Sequence, residues 1–217
     1  MKYIEKDKEP NSFAIWKAAS SGEWTPSWDT FPNPEKIDVH MALLQEQGCI
    51  CCYCGTRIEK DNSHIEHVRP RDGFLTLELE YSNMTASCEG GTRDSPLSKN
   101  HCGHRKDNWY DSRLFVSPLD PDCESYFVFT TAGEMLPVSD PTRAKKARET
   151  ISRLGLDISK LTRMRREALE PIIEGIDSLT EREGRMLLTQ FNQRNASGRY
   201  TPFCFAIVSV LRCYFNA

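Results

Sequence analysis

The sequence has no apolar run long enough to cross a bilayer. The longest, Phe203 to Phe215, is interrupted by Arg212 and as a helix reaches only about 20 Å, against a hydrocarbon core of about 30 Å. It reads as a buried carboxy-terminal helix. The opening "MKYIEKDKEPNSF" is charged from its second residue and lacks the apolar segment of a secretory leader. Together these absences predict a cytoplasmic chain without a membrane partner. Internal repeats and low-complexity tracts are also missing. There is no strong charge imbalance either: a formal net charge of -3 over 217 residues gives no general attraction to nucleic acid, so any such contact must come from local clustering.

What the chain has in plenty is cysteine. Nine cysteines in an odd count, without a leader, argue for metal ligands or reduced thiols rather than disulfides. Their surroundings divide the chain into three regions. Residues 1–47 form a helical lead-in, with patterning at "SFAIWKAAS" and at "PEKIDVHMALLQEQG", where Ile37, Met41 and Leu44 recur at helical spacing between Pro34 and Gly48. Residues 48–118 have poor periodicity and dense Cys, His, Asn and Gly, as where metal ligation replaces apolar core. Residues 119–217 open with "SYFVFTTAGEMLPV", a hairpin turning at Ala132 and Gly133. Helical faces follow: Ile151, Leu154, Ile158, Leu161; then Leu169, Ile172, Ile173, Ile176; then Met186, Leu187, Phe191. Between Arg143 and Arg166 nine basic residues face only Glu149 and Asp157, which is either a solvated helix face or one that binds phosphate or a partner.

Cys51 and Cys54 make a C-x-x-C pair followed by Gly55, which permits the tight turn of a zinc knuckle. Cys88 and Cys102 supply a second half, separated by an insertion that has to loop out. Cys49 with Cys52 has the same spacing as the first pair, and buried free thiols are the bland alternative. Cys123, Cys204 and Cys213 are isolated and read as core.

Four cysteines around zinc close its coordination, so zinc held in this way catalyses nothing. Glu66, His67, Asn83 and a later histidine fit a second site for a hard divalent ion, such as Mg2+ or Mn2+, with positions open to water and phosphate oxygens. His67 has the ordinary pKa range of a general base. His64 reads as an exposed strand residue, with metal ligation the alternative.

At this point "IEHVRPR", then "EYSNMTAS" before Cys88, then "HCGHRKDN" resembles the HNH, or ββα-metal, endonucleases. The resemblance implies an α+β fold: a mostly helical protein around a small zinc-stapled ββα-metal core, with a short β-hairpin after it. It implies that Glu66 stands where the family has an aspartate metal ligand, that His67 is the general base, that Asn83 orients it by accepting from its other ring nitrogen, and that His104 is the final metal ligand. Lys106 and Asn108 match the family's K-x-N ending. Two departures are visible: glutamate replaces aspartate, and the final histidine lies two residues past Cys102 rather than one, so His101 stands as an alternative ligand.

The wider layout, including "LLQEQGCICCYCG", "SPLDPDCESYFVF" and "TISRLGLDISKLTRMRREAL", resembles the PtuB group of HNH proteins. That implies structural Zn2+, catalytic Mg2+ or Mn2+, a nucleic-acid substrate, a PtuA-type ATPase partner in Septu antiphage defence, and for retron systems a reverse transcriptase with its RNA and DNA. A rival reading from another class is a zinc-stapled nucleic-acid or protein adaptor without catalysis. A self-sufficient restriction or homing nuclease is a third.

Overall fold

The computed structural model describes residues 1–91 and 96–215. The expected loop between Cys88 and Cys102 falls partly on residues 92–95, which lie outside them. The architecture is α+β: seven α-helices among the described residues, and two small antiparallel sheets. No described helix is long and apolar enough to cross a membrane.

Helix α1 (Asn11–Ala18) and helix α2 (Asn33–Glu46) begin as Pro10 and Pro32 leave extended backbone, and Pro34 sits in the first turn of α2 where its missing N–H costs nothing. Gly48, at φ 57°, turns the chain out of α2. The buried stripe of α2 differs from the expected one. Val39, His40, Leu43 and Leu44 face inward, whereas Ile37 and Met41 are 46% and 41% exposed. The helix meets the first sheet through His40, whose Nε2 lies 3.0 Å from Ser63 Oγ, and through Gln47 at its end, an orientation that periodicity alone does not choose.

That sheet pairs β1 (Ser63–His67) with β2 (Met84–Cys88) in the register His64↔Ser87 and Glu66↔Thr85. With a side-chain period of two, His64 and Glu66 share a face with Thr85 and Ser87. The outer edge of β2 is satisfied by Gln47 at the end of α2, which donates to the Ala86 carbonyl and accepts from the Ala86 N–H. Helix α3 (Gly103–Lys106) covers the sheet, fixed by Gly103 N–H donating to Ser87 Oγ at 3.1 Å and by Cys102 N–H donating to Leu154 O at 2.8 Å.

The second sheet is the expected hairpin, β3 (Phe127–Phe129) with β4 (Met135–Pro137), turning through Gly133 at φ 83°. Helices α4 (Pro141–Leu154), α5 (Ser159–Ile176), α6 (Glu181–Asn192) and α7 (Cys204–Phe215) follow. The end of α7 and α6 each correct an expectation: Cys213 is exposed, because burial of α7 ends at Leu211, and Met186 is 62% exposed on the outer face of α6. Buried side chains from all three sequence regions join one apolar core.

One charged side chain inside that core stitches it together. Arg165, fully buried, donates to the carbonyls of Gly133 at 2.7 Å and Leu156 at 2.8 Å, tying the hairpin turn and the α4–α5 connection to α5. Burial pulls its pKa down to about 10. Replacing Arg165 with Leu orphans both carbonyls, so we expect a loss of about 2–4 kcal/mol in urea unfolding.

Candidate active site and metal centres

The cysteine cluster forms where three pieces of chain meet. The loop after α2 brings Cys51 and Cys54, the end of β2 brings Cys88, and the residue before α3 brings Cys102; their sulfurs lie within 4.8 Å of one another and all four are buried. Gly55 turns the knuckle at φ 77° with the Phe205 ring against it, so a side chain there would meet both strain and a clash. The Cys54–Cys88 sulfur separation is 3.7 Å. A zinc tetrahedron with Zn–S bonds of about 2.3 Å has edges of about 3.8 Å, so the donor set and its spacing fit such an ion. No disulfide is formed among the described residues. Burial works against ionisation of Cys51 and Cys54, but neighbouring sulfhydryls draw both below the ordinary thiol value, Cys54 to about 6. Cys52 differs: burial, with Cys51 beside it, holds it far above that value, as a thiol.

His101 is on the sulfur side. Its Nδ1 lies 3.1 Å from Cys102 Sγ and 3.8 Å from Cys88 Sγ. His104 lines the same cleft as Glu66, and His101 is not among that cleft's lining residues.

A cleft of about 1040 Å³ opens beside β1, lined by His64, Glu66, His67, Arg71, Gly103 and His104 among others. Glu66 is buried and held hard: Oε1 accepts from Tyr53 Oη at 3.0 Å and from Lys106 Nζ at 2.9 Å. Lys106 also donates to the His67 carbonyl at 3.0 Å. Burial opposes charge on Glu66, but the Lys106 ammonium, with His64 beside it, keeps the carboxyl below the usual carboxylate range. Oε2 faces His64 Nε2 at 3.6 Å. His64 is half-buried, not the exposed strand residue expected, because its face of β1 is covered by α3. Beyond it stands Glu89, 3.6 Å from His64 Nδ1 and 3.2 Å from His104 Nε2.

His67 closes the strand. Its Nε2 lies 2.9 Å from the Glu78 carbonyl, which only accepts, so Nε2 carries the proton and Nδ1 is left with the lone pair. Asn83 takes a different part from the one expected. It brackets the loop after β1, accepting from Arg69 N–H at 2.9 Å and donating to Arg69 O at 3.0 Å and Leu77 O at 3.3 Å. By fixing that loop it places the Glu78 carbonyl that orients the imidazole, so its action is one residue removed. Burial lowers the His67 pKa, helped by Arg71 and Lys106 and opposed by the Glu78 carbonyl and Glu66.

Sequence reading missed Trp28, whose ring meets His67 edge-on with centroids 4.5 Å apart and carries Lys36 and Arg71 over it. It also missed Glu89. The first comes from a loop with no motif, the second from a residue whose only sign is that it follows Cys88.

No family model matches the chain. A Vibrio cholerae (serotype O1 biovar El Tor) protein named "Retron Vc95 putative HNH endonuclease" is 32% identical over 148 residues, which is 66% of this chain and 68% of that protein. The chain belongs to the HNH endonuclease family. Membership gives the His67 cleft a chemical frame, since an HNH endonuclease needs a base, a divalent ion and a phosphodiester in one place, and the cleft has an imidazole with a free nitrogen beside carboxylates and two further imidazoles.

Proposed function

We propose that this chain is a metal-dependent endonuclease that hydrolyses nucleic-acid phosphodiester bonds, with β1, β2 and α3 as its ββα-metal core in residues 48–118, flanked by the helical regions 1–47 and 119–217. The observation that carries the reading is His67 with Nε2 committed to the Glu78 carbonyl and Nδ1 free, in the same cleft as Glu66 and His104. His67 Nδ1 takes a proton from water as the oxygen attacks phosphorus; the P–O3′ bond breaks, and the 3′ oxygen leaves and is protonated from solvent. A divalent ion, Mg2+ or Mn2+, at the Glu66–His104 end of the cleft would neutralise charge developing on the phosphate and leaving oxygen. Lys106 and Tyr53 keep Glu66 ionised and fixed. Cys51, Cys54, Cys88 and Cys102 hold structural Zn2+ that fastens β2 and α3 to the knuckle.

The test is cleavage of plasmid, single-stranded DNA and RNA with Mg2+, Mn2+ or EDTA. Metal-dependent cutting supports the reading, and no cutting of any substrate under any condition, with or without the ATPase, favours a non-catalytic adaptor. The resemblance to PtuB supports a toxic effector of antiphage defence acting in the cytoplasm in a complex with a PtuA-type ATPase, and in a retron with a reverse transcriptase and its RNA and DNA. Failure of the purified ATPase to co-elute with the chain would count against that partner.

Two expectations follow. Because burial lowers the His67 pKa from its ordinary 6.5, the base stays unprotonated to lower pH, and activity falls only as pH drops below that value; the acid limb of the rate profile therefore has its midpoint under 6.5. The second concerns α4, which presents Arg143, Lys145, Arg148 and Arg153 to solvent while its C-terminal Gly155 packs against Arg105 of α3. Such a face beside the cleft suits a phosphate backbone. Lys145→Glu with Arg148→Glu should weaken nucleic-acid binding by about tenfold or more and flatten its salt dependence by about two contacts, read by anisotropy at several salt concentrations.

A further inference from the structure

We infer that the divalent ion of this cleft is held by His64, Glu89 and His104, with Glu66 orienting His64 rather than ligating, and that the cage takes a transition cation such as Mn2+ in preference to Mg2+. The inference rests on the nuclease reading and refines it. One ligand atom from each of the three residues lies within 4.8 Å of the others. Glu89 bridges the pair, with its two oxygens toward His64 Nδ1 at 3.6 Å and His104 Nε2 at 3.2 Å, and the two imidazole centroids are 5.1 Å apart.

Two further features point to a cation rather than a plain ion pair. The Nδ1 atoms of His64 and of His104 are buried without a hydrogen-bond partner, a state that is uncommon for imidazole nitrogens and that ligation relieves for His64. The remaining nitrogen of His64 faces Glu66 Oε2, the arrangement in which a carboxylate fixes the tautomer of a metal-binding histidine. Glu66 suits that part because its other oxygen is committed to Tyr53 and Lys106. Gly103 lets α3 lie close against that His64–Glu66 contact: a Cβ there would fall 2.6 Å from both His64 Nε2 and Glu66 Oε2. Two imidazoles and one carboxylate leave coordination positions for water and phosphate oxygen. Imidazole also selects transition cations, whereas Mg2+ favours oxygen donors.

The test uses the full chain with its zinc in place and no nucleic acid, titrated with Mn2+ and followed by electron paramagnetic resonance. We expect one tight site whose dissociation constant rises about 100-fold or more in Glu89→Gln and in His64→Gln, each with unchanged zinc content and thermal transition. Electron spin-echo modulation should show two imidazole nitrogens on Mn2+ in the native chain and one in His64→Gln. Mg2+ in about hundredfold excess should leave Mn2+ bound. Unchanged affinity in both variants, an unchanged nitrogen count in His64→Gln, or displacement by Mg2+ would overturn the inference. Tight Mn2+ binding with these signatures, in a chain that cuts no substrate, would sink the nuclease reading and leave the cation site standing.

Discussion

His67→Ala should abolish detectable cleavage while leaving the fold, the zinc content and the Mn2+ affinity in place. The expected fall is about 10²–10⁴-fold at saturating substrate and metal, the range a positioned general base supplies. The side chain reaches the structure through its hydrogen bond to the Glu78 carbonyl and its edge contact with Trp28, so truncation costs stability modestly, about 1–2 kcal/mol for the orphaned carbonyl and lost packing. The measurement is single-turnover cleavage beside a thermal melt of both proteins. Equal rates from the two would remove His67 from the chemistry and leave the adaptor reading. Asn83→Ala provides the graded comparison: Asn83 fixes the loop carrying the Glu78 carbonyl, so its loss should lower the rate while a concentrated imidazole buffer fails to rescue it, whereas imidazole can enter the gap left by His67→Ala.

The parts of this molecule that were legible in its sequence are those written in rare residue types. Cysteine and histidine at tight spacings announce metal chemistry, and Cys51, Cys54, Cys88 and Cys102 converge although thirteen residues separate the last two. The hairpin at Gly133 and the stop at Gly48 were legible for a related reason, since a backbone at positive φ leaves few residues to choose from. What depended on how elements face one another was not legible. Ile37 and Met41 have the spacing of a buried stripe, yet α2 turns them outward and buries Val39 and Leu43 instead. Whether His64 is exposed depends on α3 lying over β1. Glu89 acquires its neighbours only when β2 and α3 come together, and Trp28 reaches His67 across a long stretch of chain. Local pattern carries no record of such meetings.

The four cysteines should prove as consequential for the fold as His67 is for the reaction. Cys54→Ser is expected to drop zinc from about one ion per chain to near none, with a thermal transition that is lost or lowered by tens of degrees. Structural zinc contributes about 10–16 kcal/mol of apparent binding free energy in small modules, as large as the whole stability of a typical domain, about 5–15 kcal/mol. Here the ion would join three separate pieces of chain, so its loss frees the knuckle, the end of β2 and the start of α3 together. Cys102 sits at φ 58°, a conformation that needs support from its surroundings. The released segment includes Gly103 to Lys106, and with it the Lys106 bonds to Glu66 and to the His67 carbonyl; metal loss at the sulfurs should therefore silence the cleft as well. Cys52→Ser and Cys49→Ser decide between the two C-x-x-C pairs. Cys52 is held as a thiol, and Cys49 lies outside the convergent four, so both variants should keep a full complement of zinc by mass spectrometry under native conditions. If zinc were lost from either of them and retained in Cys54→Ser, the other pair would hold the ion and the knuckle would have to be redrawn around Cys49 and Cys52.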